Sequence, residues 1–279
     1  MAEPRSEWVT RRPAGELTPF VDRYVGYRLS GVDPGVHRGL PSRHLTFIVS
    51  IGPEIDVVAQ TDPAQTPDRY RCVLGGLQAS SALIAYDDHL EGVTIELTPA
   101  GCRALLGLPA RELWNTSLEL GDLTGTIGNE LWERLQHTTT WDERFRACDE
   151  VLGRLLREDS LEPALRRSWQ LLVSSAGTMP VEELAGTIGW TRQHFARRFA
   201  EEYGLSPKLA ARVVRFDRAQ RMLRTPFLSI AQVAAACGYY DQAHLTRDFV
   251  ELAGCPPARF IASEDLPSFQ DDTAAGGEP

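Results

Sequence analysis

Two short sets of side chains carry the chemistry this sequence can do: Gln193 with Arg197, and Gln242 with Arg247. Amide and guanidinium groups present planar arrays of N–H donors, which suit paired acceptors such as phosphate oxygens and the edges of nucleic-acid bases. If the stretch is helical, Gln193 and Arg197 fall one turn apart, and Phe195 and Phe199 point about 200° away at roughly 100° per residue. One face packs and the opposite face is free to touch something. Cations suited to phosphate surround the pair, namely Arg192, Arg198, Lys208 and Arg212. His194 and His244 adjoin the inward-facing Phe195 and Leu245, so each can either reach a phosphate or lock its helix in place.

Other chemistries fail on spacing. Asp87 and Asp88 are adjacent acids between two strand-like runs and read as turn residues. His37, His44 and His89 show no H-x-H or H-x-x-x-H spacing, so no metal site is predicted. Nothing like G-x-x-x-x-G-K follows Gly75-Gly76 and no G-x-S-x-G elbow occurs, which removes phosphate-loop and hydrolase readings. The five cysteines, Cys72, Cys102, Cys148, Cys237 and Cys255, are odd in number and lack C-x-x-C spacing, so they read as reduced, buried thiols. Trp8, Tyr24, Tyr27 and Trp114 either line a ligand pocket or serve ordinary packing or an interface. No cofactor is predicted.

The elements that must position the outward-facing donors form one unit written twice. At an offset of 49, Val181, Leu184, Ala185 and Gly189 fall on Ile230, Val233, Ala234 and Gly238. At an offset of 50, His194, Phe195, Arg197, Phe199, Gly204 and Pro207 fall on His244, Leu245, Arg247, Phe249, Gly254 and Pro257. Each copy reads as an apolar helix, a glycine turn and a second helix ending in glycine, which is a helix-turn-helix. Thr191 and Ser229 are predicted caps, with Gly189 and Gly238 at the turns. Ser206-Pro207 to Arg224 reads as one connecting helix of about 18 residues, hence about 27 Å. The second copy has Ala243 where the first has Gln193, so it must lean on Gln242 and Arg247. The first unit is therefore expected to be the stricter reader.

These residues make the chain similar to the AraC-type transcriptional regulators. The family's second unit typically reads much like G-Y-Y-D-Q-A-H-L-T-R-D-F, found at Gly238 to Phe249. The stretch G-C-P-P-A-R-F, Gly254 to Phe260, resembles its closing signature, with Pro256 where Ser or Thr is frequent. The resemblance spans about 95 of 279 residues. It implies a sequence-specific DNA-binding regulator, read here as an activator and not an enzyme. Base contacts would come from Gln193, Arg197, Gln242 and Arg247, and further DNA contacts from Arg192, Arg198, Lys208, Arg212 and His244. Double-stranded DNA is the implied partner; RNA polymerase, a small-molecule effector and a second copy of the chain are further candidates. Two alternatives stay open. One is a DNA-directed alkyl-transfer repair enzyme using the same module, although neither Cys72 nor Cys102 sits in the proline-cysteine-histidine pattern of such enzymes. The other is an interaction protein whose degenerate repeat no longer binds DNA.

The net charge of −9 suits a DNA binder only once it is divided by segment. Residues 166–262 hold 13 basic against 8 acidic side chains, residues 1–165 hold 16 against 25, and the remainder adds five acids. The repeat is the only basic module. The length suggests about two domains at 100–200 residues each, and the expected fold class is α+β. Residues 1–160 would form a mixed sensor or dimerisation domain, residues 161–263 an all-α DNA-binding domain with two helix-turn-helix units joined by a long helix, and 264–279 a disordered tail. Strand-like runs at His44–Ile51, Glu54–Gln60, Tyr70–Leu77, Ser81–Tyr86 and Val93–Leu97 predict a small β-barrel or curled sheet. A short helix at Ala100–Leu106 and a helix pair at Thr126–His137 and Trp141–Arg157 follow, with Thr140 and Glu143 as a capping box. No run approaches the ~18 apolar residues of a membrane span, so a soluble cytoplasmic protein without a membrane partner is expected.

Overall fold

The computed structural model describes residues 5–158, 160–225 and 227–263, so the tail expected at 264–279 lies outside the described residues. The strands are β1 (Arg5–Arg11), β2 (Val21–Ser30), β3 (Gly35–Gly39), β4 (Leu45–Ser50), β5 (Ile55–Ala59), β6 (Asp68–Tyr70), β7 (Cys72–Gly75), β8 (Ala82–Tyr86), β9 (His89–Leu97) and β10 (Ser117–Glu119). They pair antiparallel in two sheets, one ordered β1-β2-β9-β4-β7-β10 and the other β3-β8-β5-β6. The expected curled β-structure is thus two sheets rather than one closed barrel. Five strands escaped the sequence reading, β1, β2, β3, β6 and β10. β2 shows why: Arg23 interrupts its apolar pattern, yet Arg23 is buried because Glu96, its partner across the β2–β9 ladder, takes the guanidinium with both carboxylate oxygens at 2.9 Å.

The period of two along each strand gives the larger sheet two apolar faces. Tyr24, Phe47, Val49, Val93 and Ile95 point to one side and Tyr27, Leu29 and Ile48 to the other, where they share a core with Val57 and Ala82 of the smaller sheet. The first face is covered by helices. The chain forms α1 (Pro99–Gly101), continued by a π-helical turn to Leu106, then α2 (Leu120–Thr124), α3 (Thr126–Gln136) and α4 (Trp141–Leu155). The Thr140–Glu143 capping box is present, and Phe145, Cys148, Val151 and Leu152 of α4 are buried against the sheet.

Seven more helices complete the described chain: α5 (Pro163–Ser174), α6 (Val181–Thr187), α7 (Arg192–Tyr203), α8 (Pro207–Leu223), α9 (Ile230–Ala236), α10 (Gln242–Ala253) and α11 (Pro257–Ser263). The core of α5–α7 is continuous with that of the N-terminal half, through Leu155, Leu161, Leu165 and Tyr203. Ala210, Ala211 and Val214 on one side of α8 belong to that same core, while Val213, Phe216, Ala219 and Leu223 join α9–α11 in a separate cluster with Leu40 from beyond β3. Among the described residues no helix is long and apolar enough to cross a membrane.

Candidate nucleic-acid interface

The two units have the same construction. In the first, α6 turns at Gly189 (φ 78°) into α7, whose Thr191 cap accepts from the His194 amide. In the second, α9 turns at Gly238 (φ 74°) into α10, capped by Asp241 accepting from the His244 amide at 2.7 Å. A positive φ at these turns is accessible to glycine at little cost. Phe195 and Phe199 of α7, and Leu245 and Phe249 of α10, are fully buried. Burial of one face fixes the rotation of each helix, so the opposite face must look outward. The connecting helix α8 is 17 residues long, about 25 Å, and Ser206 caps it by accepting from the Leu209 amide.

Gln193 and Arg197 on α7 and Gln242 and Arg247 on α10 are all exposed. Arg192, Lys208 and Arg247 are exposed too and make no ion pair among the described residues. Arg197 donates to Glu201 at 2.7 Å, while Arg198 bridges Glu162 at 2.8 Å and Glu201 at 3.2 Å. Arg212, expected as a phosphate anchor, is engaged by acids within the fold. Its guanidinium is mostly buried and holds Asp248 through Nε and the NH2 nitrogen at 3.2 and 2.9 Å, with Glu251 on the other edge at 3.0 Å. It clasps α8 to α10, because acids 36 and 39 residues further along the chain fold back onto it.

The two histidines pack across their own turns. His194 sits edge-on to Trp190 at 4.6 Å and His244 edge-on to Tyr239 at 5.1 Å, with His244 Nδ1 accepting from the Tyr240 amide at 3.5 Å. Each ring thus packs within its own unit. Sequence reasoning overlooked Glu201 and also Tyr240, which is 94 % exposed just before the α10 cap. The signal for Tyr240 was the slip from an offset of 49 to one of 50: Tyr239 takes the place of Trp190, and Tyr240 is the added residue.

The N-terminal half touches the C-terminal end of both of these helices. Arg103 donates from Nε and its NH2 nitrogen to buried Glu202 of α7 at 2.8 and 2.7 Å, and a Cβ on Gly204 would meet Trp114 Cβ at 2.8 Å. On the other unit, Ser81 donates to the Ala253 carbonyl at 3.2 Å, and Leu40 and Ala79 pack on its core. The N-terminal turns that carry Gln193 and Gln242 stay exposed.

A cavity of about 300 Å³ lies between the sheets, lined among others by Tyr27, His37, Ile48, Ile84, Tyr86 and Glu91. Burial pushes the His37 imidazole down to about 4. Of the four aromatic residues weighed as pocket lining, packing or interface, Tyr27 lines this cavity, Trp8 packs against Tyr27, Tyr24 stacks on Phe145 and Trp114 packs at Gly204. His44 meets Asp22 at 3.1 Å and Glu96 at 3.3 Å, but Arg23 already occupies both Glu96 oxygens and Arg43 pairs with Asp22, so arginines satisfy the charges of this cluster. The His44 hydrogen bond holds the Asp22 carboxyl well below its usual range. All five cysteines are buried, and burial pushes the Cys72 and Cys102 thiols up to about 12, which suppresses the thiolate that alkyl transfer requires.

Comparison with known proteins decides the class of the repeat: a helix-turn-helix domain family matches residues 184–263. This is an AraC-type helix-turn-helix domain. The chain is 27 % identical over 86 residues to the HTH-type transcriptional regulator Rv1931c of Mycobacterium tuberculosis, covering 31 % of this chain and 33 % of that protein. It is 30 % identical over 77 residues to the HTH-type transcriptional regulator GbdR of Pseudomonas aeruginosa, covering 28 % of this chain and 21 % of that one. The matched stretch thus spans a third or less of these relatives. The AraC-type domain is joined to its N-terminal sheets in the same overall fold as ToxT from Vibrio cholerae, with a TM-score of 0.50 and 13 % identity over 86 % of this chain and 96 % of ToxT.

Proposed function

We propose that this chain is a sequence-specific transcriptional regulator whose recognition helices α7 and α10 read two successive major-groove segments. The observation that carries the reading is the pairing, in both units, of a fully buried apolar face with an exposed face bearing Gln and Arg in the first half of the helix. Gln193, Arg197, Gln242 and Arg247 are the base readers in this proposal, and Arg192, Arg198 and Lys208 the phosphate contacts, with His244 beside them. Arg212 is assigned to the clasp between α8 and α10. Residues 1–160 form the regulatory half and 161–263 the DNA-binding half. RNA polymerase and a second copy of the chain remain proposed partners.

Regulation would enter through the cavity between the sheets. ToxT has been crystallised with (E)-4-(8-methylnaphthalen-1-yl)but-3-enoic acid; in this chain the cavity offers a mixed polar and apolar lining suited to a small effector. His37 and Ile84 lie on β3 and β8, and Leu40 and Ser81, just beyond the ends of those strands, contact the second unit. An occupied cavity can therefore bias the seating of α10. The experiment is selection of duplexes from a randomised pool by the purified chain, followed by footprinting on the enriched site. Two protected segments one helical repeat apart, about 34 Å, are expected. Failure to enrich any sequence would sink the reading.

A further inference from the structure

The two units carry a matched set of charges wired differently. In the first, Glu162 and Arg198 are 36 residues apart and paired; in the second, Arg212 and Asp248 are 36 residues apart and paired with the signs exchanged. Each arginine has a second acid, Glu201 for Arg198 and Glu251 for Arg212, and these acids occupy equivalent positions at an offset of 50. The exchange has one consequence for the outward face. Glu251 is engaged by Arg212 and leaves Arg247 without an ion pair among the described residues. Among the described residues Glu201 has only α7 arginines as partners, and it takes Arg197 itself.

We infer, resting on the DNA-binding reading above, that Glu201 is a specificity-determining residue of the first unit. It places a carboxylate one turn beyond the reading position, where it offsets the Arg197 charge. Attraction to arbitrary DNA comes from uncompensated cations against phosphate, so the acid weakens contact with every sequence alike. A guanine edge presents two acceptors in the plane of the guanidinium, and the single contact to Glu201 leaves most of the Arg197 donors for it. The penalty is therefore recovered at the correct base and nowhere else, which widens the gap between right and wrong sites. The second unit lacks this device and holds DNA less selectively.

The test uses the full chain with Glu201→Gln, and with Glu251→Gln as the equivalent charge removal in the other unit. Binding is followed by anisotropy on a scrambled duplex and on the duplex enriched by the wild-type chain, each at several salt concentrations. E201Q should bind the scrambled duplex about three- to tenfold more tightly, with a salt slope steeper by about one, and should gain less on the enriched duplex. E251Q should stay within about twofold of wild type on both. Unchanged affinity of E201Q for the scrambled duplex overturns the inference, and so do equal gains in E201Q and E251Q, which would reduce the effect to net charge. If the wild type and both variants bind neither duplex, the DNA-binding reading fails along with it.

Discussion

The first and second helix-turn-helix units share a core plan and differ in their charges. Every inward position matched between the recognition helices is fully buried, Phe195 with Leu245 and Phe199 with Phe249, whereas the ion pair at a separation of 36 reverses its sign. Packing must fill a fixed volume and tolerates only apolar residues of suitable shape. An ion pair needs only opposite charges at one distance. The pairs also differ in depth: Glu162 and Arg198 are 39 % and 38 % exposed, against 22 % for Arg212 and 6 % for Asp248. One position in the repeat thus serves as surface trim in the first unit and as an inter-helix clasp in the second.

The largest test of that comparison is the core. Phe199→Ala and Phe249→Ala should each cost about 3–5 kcal/mol in urea melts. F249A should detach an early transition, because the second unit has its own core, while F199A should lower the main transition that it shares with the N-terminal half. The same transition for both would break the distinction between the two cores. Next comes the clasp: Arg212→Ala strands the buried Asp248 carboxylate and should cost about 2–3 kcal/mol, somewhat under the range for a wholly buried pair. A loss within experimental error would return Arg212 to the phosphate role. Arg197→Ala and Arg247→Ala should each cost about 1–3 kcal/mol on the enriched duplex; scrambled-duplex affinity should stay nearly intact in R197A, whose charge Glu201 offsets, and fall modestly in R247A, whose charge is uncompensated. An even loss over all sequences would make them anchors. The smallest effect belongs to Glu162→Gln, about 0–1 kcal/mol of stability, since its pair is solvated. A cost matching that of R212A would erase the contrast in depth.

The sequence by itself determined what depends on neighbours along the chain. The helices of the repeat, the caps at Thr191, Ser229 and Thr140, and the turns at Gly189 and Gly238 follow from spacings of a few residues, where helical periodicity and capping chemistry act. The outward position of Gln193, Arg197 and Arg247 was legible for the same reason. What only the tertiary structure decided depends on distant partners. The strand β2 stayed hidden because Arg23 is polar until Glu96, 73 residues away, is laid beside it. Arg212 read as a free cation until α10 folded back with Asp248 and Glu251. Arg103 gave no sign that it would seat α7 through Glu202, 99 residues on. A charge declares itself in a sequence, but its partner does not, because Coulomb attraction acts across space and leaves no period along the chain.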